Sequence, residues 1–388
     1  MPVKLGFEGL LAGGTLAGRR VGIVCNPASV DATYVHIIDR LNTSGAQVTA
    51  IFGPQHGFRS DLQENMIETA HARDEERRVP VYSLYSDTRE PEPSMLEHVD
   101  VLVIDLQDVG TRIYTYIYTM ANCLKAARRT GTKVIVCDRP NPIGGVALEG
   151  PMLVPGFESF VGLYPIPMRH GMTIGELSRL FNEHFGLGAD LTVASMDGWR
   201  RRMYHDDAGA PWVMPSPNIP TLDSAIVYPG TVLFEGTNVS EGRGSTRPFE
   251  LLGAPGVPAE RFAAGMNALR FEGVYFRPAV FEPTFHKHAK VTCGGCQIHV
   301  IDRERFRPVA VGAALIAAFR AADPDRFRWR DPPYEYEPEK FPFDILAGSS
   351  ELREQIEAGT SIAEITRSWG PGVEAFSKIR ERFLLYER

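Results

Sequence analysis

Along the first two-thirds of the chain, apolar residues fall in short unbroken blocks, and each block empties into glycine and polar residues. Run 21–25 ends at Asn26 and Pro27, and run 48–52 ends at Gly53, Pro54, Gln55 and His56. Run 101–104 leads to Asp105, Gln107, Asp108 and Arg112, and run 134–137 leads to Asp138, Arg139, Pro140 and Asn141. Continuous runs, rather than alternating ones, are how parallel strands covered on both faces look. Runs 79–85 and 191–196 read as further strands, and 225–234 as one more apolar run ending in polar groups. Between the strands the period changes to that of helices. Val35, Ile38 and Leu41 follow an Asp31 cap and precede a Gly45 stop, and Ser94 with Glu97 has capping-box spacing. Segment 114–130 reads as a helix, and Ile174, Leu177, Leu180, Phe181 and Phe185 form one face behind a Thr173–Glu176 capping box. Strand–helix alternation of this kind predicts an α/β fold with a Rossmann-like, doubly wound, mostly parallel sheet.

Beyond residue 245 the pattern changes. Short β-like runs at 274–277 and 297–301 mix with an Ala-rich helix at 309–322, an irregular connector at 332–342 and a helical pattern from 361 onward. A chain of 388 residues is too long for one ordinary core. The expected division is a Rossmann-like domain over 1–245 and a smaller α+β domain over 246–388.

Ligands of doubly wound sheets bind outside the carboxyl ends of the strands. Those ends carry Asn26, Gln55, His56, Asp105, Asp108, Asp138 and Arg139. The loop after the first strand has no G-x-G-x-x-G and the chain has no Walker A sequence, so nothing points to a nucleotide, and no cofactor is expected. The net charge of -7, with no basic block, argues against nucleic acid. No apolar stretch approaches the roughly 18 residues that span a bilayer. Five cysteines suit a reduced compartment, and a cytoplasmic protein is expected. Cys293 and Cys296, read as lying at a strand turn, lack the companion ligands of a zinc site. His286 and His288 likewise have no clear third ligand, so no metal site is expected.

Three polar clusters carry the candidate chemistry. Gln55, His56 and Arg59 sit among glycines at a strand end, where a fold of this class places its ligand. Asp108 and Arg112 either pair with each other or present a carboxylate whose pKa the arginine sets. Glu235, Asn238, Glu241, Arg243 and Arg247 form the densest cluster, with planar cations suited to a substrate carboxylate or phosphate. His170 precedes a helix start and either points into the same cleft or is a satisfied structural histidine, while Glu176 is better explained as a cap. A metal-dependent hydrolase using His56, Asp108 and His170 is the second enzyme reading.

With these segments in place, the chain resembles the exo-β-N-acetylmuramidase family. The resemblance rests on FGPQHGFRS at 52–60, PVYSLY at 80–85, DLQDVGTRIYTY at 105–116, DRPNPIGG at 138–145 and FVGLYPIPMRHGMTIGEL at 160–177. It extends through the long stretch 215–255 to the closing FLLYE at 383–387. It implies a glycosidase that releases N-acetylmuramic acid from peptidoglycan fragments, with its site between a Rossmann-like domain and a smaller C-terminal one. It also implies that the lactyl carboxylate of muramic acid is the anion met by Arg243, Arg247 or Arg59. Members usually read G-P-E-H-G, and that glutamate is a candidate catalytic acid; here the position is Gln55. An amide can neither donate an acidic proton nor act as a carboxylate base. Glu64 can take the role, Glu241 or Asp108 can carry it, or the protein binds an amino sugar without cleaving it. The leading expectation is a hydrolase with Glu64, Glu241, Asp108 and His56 as candidate catalytic groups. Gln55, Arg59, Arg112, His170, Asn238, Arg243 and Arg247 are the candidate substrate-binding groups, and a small carbohydrate is the expected partner.

Overall fold

The computed structural model describes residues 2–64, 67–335 and 337–387. In chain order the strands are β1 (Arg20–Val24), β2 (Gln47–Gly53), β3 (Ala72–Asp74), β4 (Val79–Ser83), β5 (Val101–Ile104) and β6 (Lys133–Cys137). They continue with β7 (Glu149–Met152), β8 (Pro167–Arg169), β9 (Leu191–Ala194), β10 (Leu251–Ala254), β11 (Val274–Phe281) and β12 (Cys293–Val300). The main sheet has the order β3-β4-β2-β1-β5-β6-β9. Only the β3–β4 pair in it is antiparallel. From β1 the chain winds outward to β2 and β4, then returns to β5 on the other side. The order therefore reverses at β1, and a crevice opens where the loops after β1 and β5 part. A separate antiparallel sheet, β10-β12-β11, belongs to the C-terminal part, and β7 pairs with β8 as a ribbon between the two.

The central strands are buried on both faces, as their unbroken apolar runs require: β5 is buried at all four positions. Helix Tyr116–Thr130 covers one face and ends on Gly131 in the left-handed conformation (φ 73°). The Thr173–Glu176 capping box is present at the start of helix Ile174–Arg179.

Several local readings are corrected. Helix Ile37–Thr43 is capped by His36, whose ring accepts from the Ile38 amide, because Asp31 Oδ1 is taken by the amides of Thr33 and Val35. The short helix Pro93–Leu96 starts on a proline after Glu92, so Ser94 lies inside it. Run 225–234 is not a strand. It forms helix Leu222–Thr231, with the Thr221 side chain accepting from the Ser224 amide, and continues as a 3-10 turn, Val232–Gly236. This helix is apolar all round because it crosses helix Pro308–Ala322 at backbone contact; a Cβ on Gly230 would lie 1.9 Å from Pro308 O. Cys293 and Cys296 lie within β12 rather than at a turn, and their spacing of three on a strand sends the two thiols to opposite faces.

Helix Leu222–Thr231 and the turn after it are thus knit to C-terminal elements; a Cβ on Gly236 would lie 2.4 Å from Phe343 Cα. On this packing we propose a domain boundary near residue 222 rather than 245. Among the described residues no helix is long and apolar enough to cross a membrane.

Candidate active site

Over the carboxyl ends of β2 and β5 lies a cavity with about 480 Å³ of empty space when the part open to solvent is counted. Gln55 and His56 enter it from the loop after β2, and Ile113, Tyr114 and Thr115 from the loop after β5. Ser216 and Asn218, Glu235 and Arg243, and Tyr334 close it from three more segments. The two glycine-rich polar stretches of the sequence therefore face each other across one hollow.

Backbone geometry explains the first wall. Immediately after β2 the chain doubles back so tightly that a Cβ on Gly53 would lie 2.6 Å from the Phe58 amide. His56 sits in the left-handed region (φ 69°) inside that turn, and the Gly57 amide donates to Pro54 O at 2.9 Å. Gln55 accepts at Oε1 from the Thr115 hydroxyl at 2.7 Å, which leaves its amide N–H groups as donors. The partner of His56 Nδ1 is the Leu62 carbonyl at 2.8 Å. A carbonyl only accepts, so the proton is on Nδ1 and Nε2 is the acceptor. Burial, with a smaller contribution from the Arg243 charge, holds His56 down to about 4.

The opposite wall is a buried charge network. Arg243 Nη2 lies 2.8 Å from Glu235 Oε1, and Nη1 lies 3.2 Å from Glu241 Oε1. Tyr334 donates to Glu235 Oε2 at 3.0 Å. Lys287 Nζ donates to Glu241 Oε2 at 2.8 Å and to the carbonyls of Phe234 and Val239. Burial alone would raise Glu241, but Lys287, Arg243 and His286 outweigh it and bring its carboxyl down to about 2. Two cations thus balance two carboxylates in a space with little water, as buried charges require.

Of the expected site residues, Gln55, His56 and Arg243 line the cavity. Glu241 stands behind Arg243, fully buried and held as an anion, which suits it to positioning rather than to giving up a proton. Glu64 and Arg59 are exposed and outside the lining. Arg247, also exposed, reaches Glu250 at 3.4 Å. Asn238 is bonded to the backbone of Arg326 and Arg328, away from the cavity. Asp108 and His170 face each other at 3.4 Å in the interior, and Asp108 Oδ2 accepts from the Gly110 amide. Neither lines the cavity. Among the described residues Arg112 pairs with no acid. It is buried and donates to the carbonyls of Pro151, Ile166, Leu346 and Ala347, a clamp between distant segments. Asp105 and Arg139, at strand ends, form a bidentate pair at 2.6 and 2.7 Å and turn away from ligand duty. Among the described residues no three His, Cys, Asp or Glu side chains converge to hold a metal ion.

Sequence reasoning counted Glu235 in its cluster without singling it out, yet among the described residues it is the only carboxylate in the lining. Its position one helical turn past Thr231 would have marked it only if run 225–234 had been read as a helix. Tyr334 had no signal at all, since it comes from an irregular connector 99 residues from the carboxylate it touches.

His56 makes the fold pH-sensitive. Its value falls from 6.5 to about 4 in the folded chain, so the unfolded state binds more protons between those limits. Stability from this residue is full above about pH 6.5 and declines as pH falls toward 4, by up to roughly 3 kcal/mol in all. Urea unfolding followed across that window is expected to show the slope, and His56→Gln is expected to flatten it.

A doubly wound sheet with a polar, charge-balanced cleft at its switch point, closed by a second α+β unit, defines an α/β enzyme acting on a small polar ligand. Residues 21–223 match the family described as exo-beta-N-acetylmuramidase NamZ, N-terminal, and residues 226–386 match its C-terminal counterpart. The peptidoglycan beta-N-acetylmuramidase NamZ of Bacillus subtilis (strain 168) is 47% identical over 372 residues, covering 96% of this chain and 88% of that one. A DUF1343 family protein from Bacteroides fragilis has a solved structure with TM-score 0.90 and 34% identity, covering 100% of this chain and 99% of that one. A second one from the same organism gives 0.78 and 28% at the same coverage. The chain belongs to the exo-β-N-acetylmuramidase NamZ family.

Proposed function

We propose that the protein is an exo-acting glycosidase that removes N-acetylmuramic acid from the non-reducing ends of peptidoglycan fragments. The observation that carries this reading is the single cavity joining Gln55 and His56 to Glu235, Arg243 and Tyr334. Among the described residues Arg243 is the only arginine or lysine in the lining, and it supplies the cation for the lactyl carboxylate. Its hold on Glu235 couples recognition of that arm to the placement of the carboxylate.

One protein carboxylate in the cleft suits a mechanism in which the substrate's own acetamido group assists. In that scheme Glu235 accepts from the acetamido N–H, steering its carbonyl toward the anomeric carbon. Gln55 donates to the glycosidic oxygen without protonating it, and His56 Nε2 accepts from a ring hydroxyl. The acetamido oxygen closes on the anomeric carbon as the glycosidic C–O bond breaks, a leaving group stable as an anion departs most readily, and water then opens the oxazolinium ion, its proton passing to solvent. All five cysteines are free and buried, which fits work on recycled fragments in the reduced cytoplasm.

The test is release of p-nitrophenol from its N-acetylmuramic acid β-glycoside between about pH 5 and 8, the range in which His56 changes least from neutral. Turnover, and much slower turnover of the N-acetylglucosaminide that lacks the lactyl arm, is the expected result. Calorimetric binding of the sugar with no release would instead make the protein a non-hydrolytic binder.

A further inference from the structure

Away from the cleft, a second cavity of about 550 Å³ opens where loop 143–147, β8, segment 201–204 and turn 303–307 meet. It shares no lining residue with the first. Five arginines line it, Arg169, Arg201, Arg202, Arg303 and Arg307, against one carboxylate, Glu304. Two of the five are balanced: Arg201 contacts both Glu176 oxygens at 2.5 and 3.1 Å, and Arg303 contacts both Asp206 oxygens at 2.8 and 2.7 Å.

The other three are not. Arg169 donates to Ile143 O, Arg307 donates to the carbonyls of Glu304 and Phe306, and Arg202 is exposed. Among the described residues none of the three has a carboxylate at ion-pair distance. Arg169 is moreover 4% exposed, and its Nε is buried without a hydrogen-bond partner. A cationic side chain withdrawn this far from water without an anion is costly. Glu149, opposite Arg169 in the β7–β8 ribbon, offsets the excess only in part. Its Oε1 accepts from the Ala310 amide, and burial pushes its carboxyl up to about 7 against the pull of Arg169 and Arg307.

We infer that this cavity binds a small organic phosphate, with the phosphate held by Arg169, Arg202 and Arg307 and the organic ring against Val146 and Ala147. A dianion balances three guanidinium groups better than a carboxylate does, and their planar forks match phosphate oxygens. The apolar wall distinguishes an organic phosphate from the free ion. Because the cavity joins parts from both family segments, occupancy would also tie the two halves of the chain together.

Calorimetric titration of the full-length protein with a hexose 6-phosphate, inorganic phosphate and the uncharged hexose tests the inference. Saturable binding of the hexose phosphate, tighter than that of free phosphate and absent for the uncharged sugar, is expected. Arg202→Glu, at an exposed position, should weaken it at least about tenfold, or about 1.4 kcal/mol, with unchanged thermal unfolding; Arg169→Met is the second variant. No saturable heat below about 10 mM, weaker than the usual range of specific small-ligand affinities, would overturn the inference. So would equal affinity for free phosphate, or an affinity that neither variant changes.

Discussion

Gln55→Glu is expected to raise kcat on a natural disaccharide fragment by about 10²–10⁴, the usual worth of a positioned general acid. The side chain stands at the end of β2, nearly buried, in a cavity it shares with Ile113, Tyr114 and Thr115. A carboxyl there would lose hydration, and desolvation raises a carboxylic acid's pKa. It would therefore stay protonated near neutrality, beside the hydroxyl of Thr115 that already reaches position 55. The gain should be much smaller on the p-nitrophenyl glycoside, whose leaving group needs no proton. Rates on both substrates, for both forms, are the measurement. A fall in kcat on both would show instead that the amide is a working part of a modified site.

Arg243→Met carries the second large effect. The substitution leaves Glu235 and Glu241 buried with fewer cations, and breaking a buried pair from one side costs about 3–5 kcal/mol. Denaturant unfolding should register that loss. A fall in kcat/KM of about 10² or more should accompany it, since the fixed charge for the lactyl arm goes with the guanidinium. The double variant Arg243→Met, Glu235→Gln separates the two effects. It should regain much of the stability, because one unpaired charge is removed, and none of the activity. Activity returning along with stability would mean that neither side chain meets the substrate.

The sheet was legible because its strands obey a simple rule: buried on both faces, they read as unbroken apolar runs that stop where the ligand crevice begins. The same rule misled at 225–234, where a helix also covered on every side produced an identical pattern. Local reasoning placed Gln55 and His56 well, since a strand end and the turn after it are set by neighbours in sequence. It could not separate Arg243 from Arg247. Four residues apart in one loop, the first turns inward to Glu235 and the second outward to solvent. Arg112 was equally opaque. Next to Asp108 it reads as an ion pair, and only tertiary folding brings carbonyls more than 230 positions away within its reach. Glu64 shows the opposite limit: closeness to Gln55 in sequence did not bring it to the cavity. Residues that face a site because of a distant chain segment leave no periodic or spacing signal, and Tyr334 is the plainest case.

A crystal structure of the protein soaked with N-acetylmuramic acid bears most directly on the whole account. The sugar is expected between the Gln55–His56 turn and Arg243, with its lactyl carboxylate on the guanidinium and its acetamido group against Glu235. A well-ordered sugar seated elsewhere on the molecule, with this cavity left unoccupied, would contradict it.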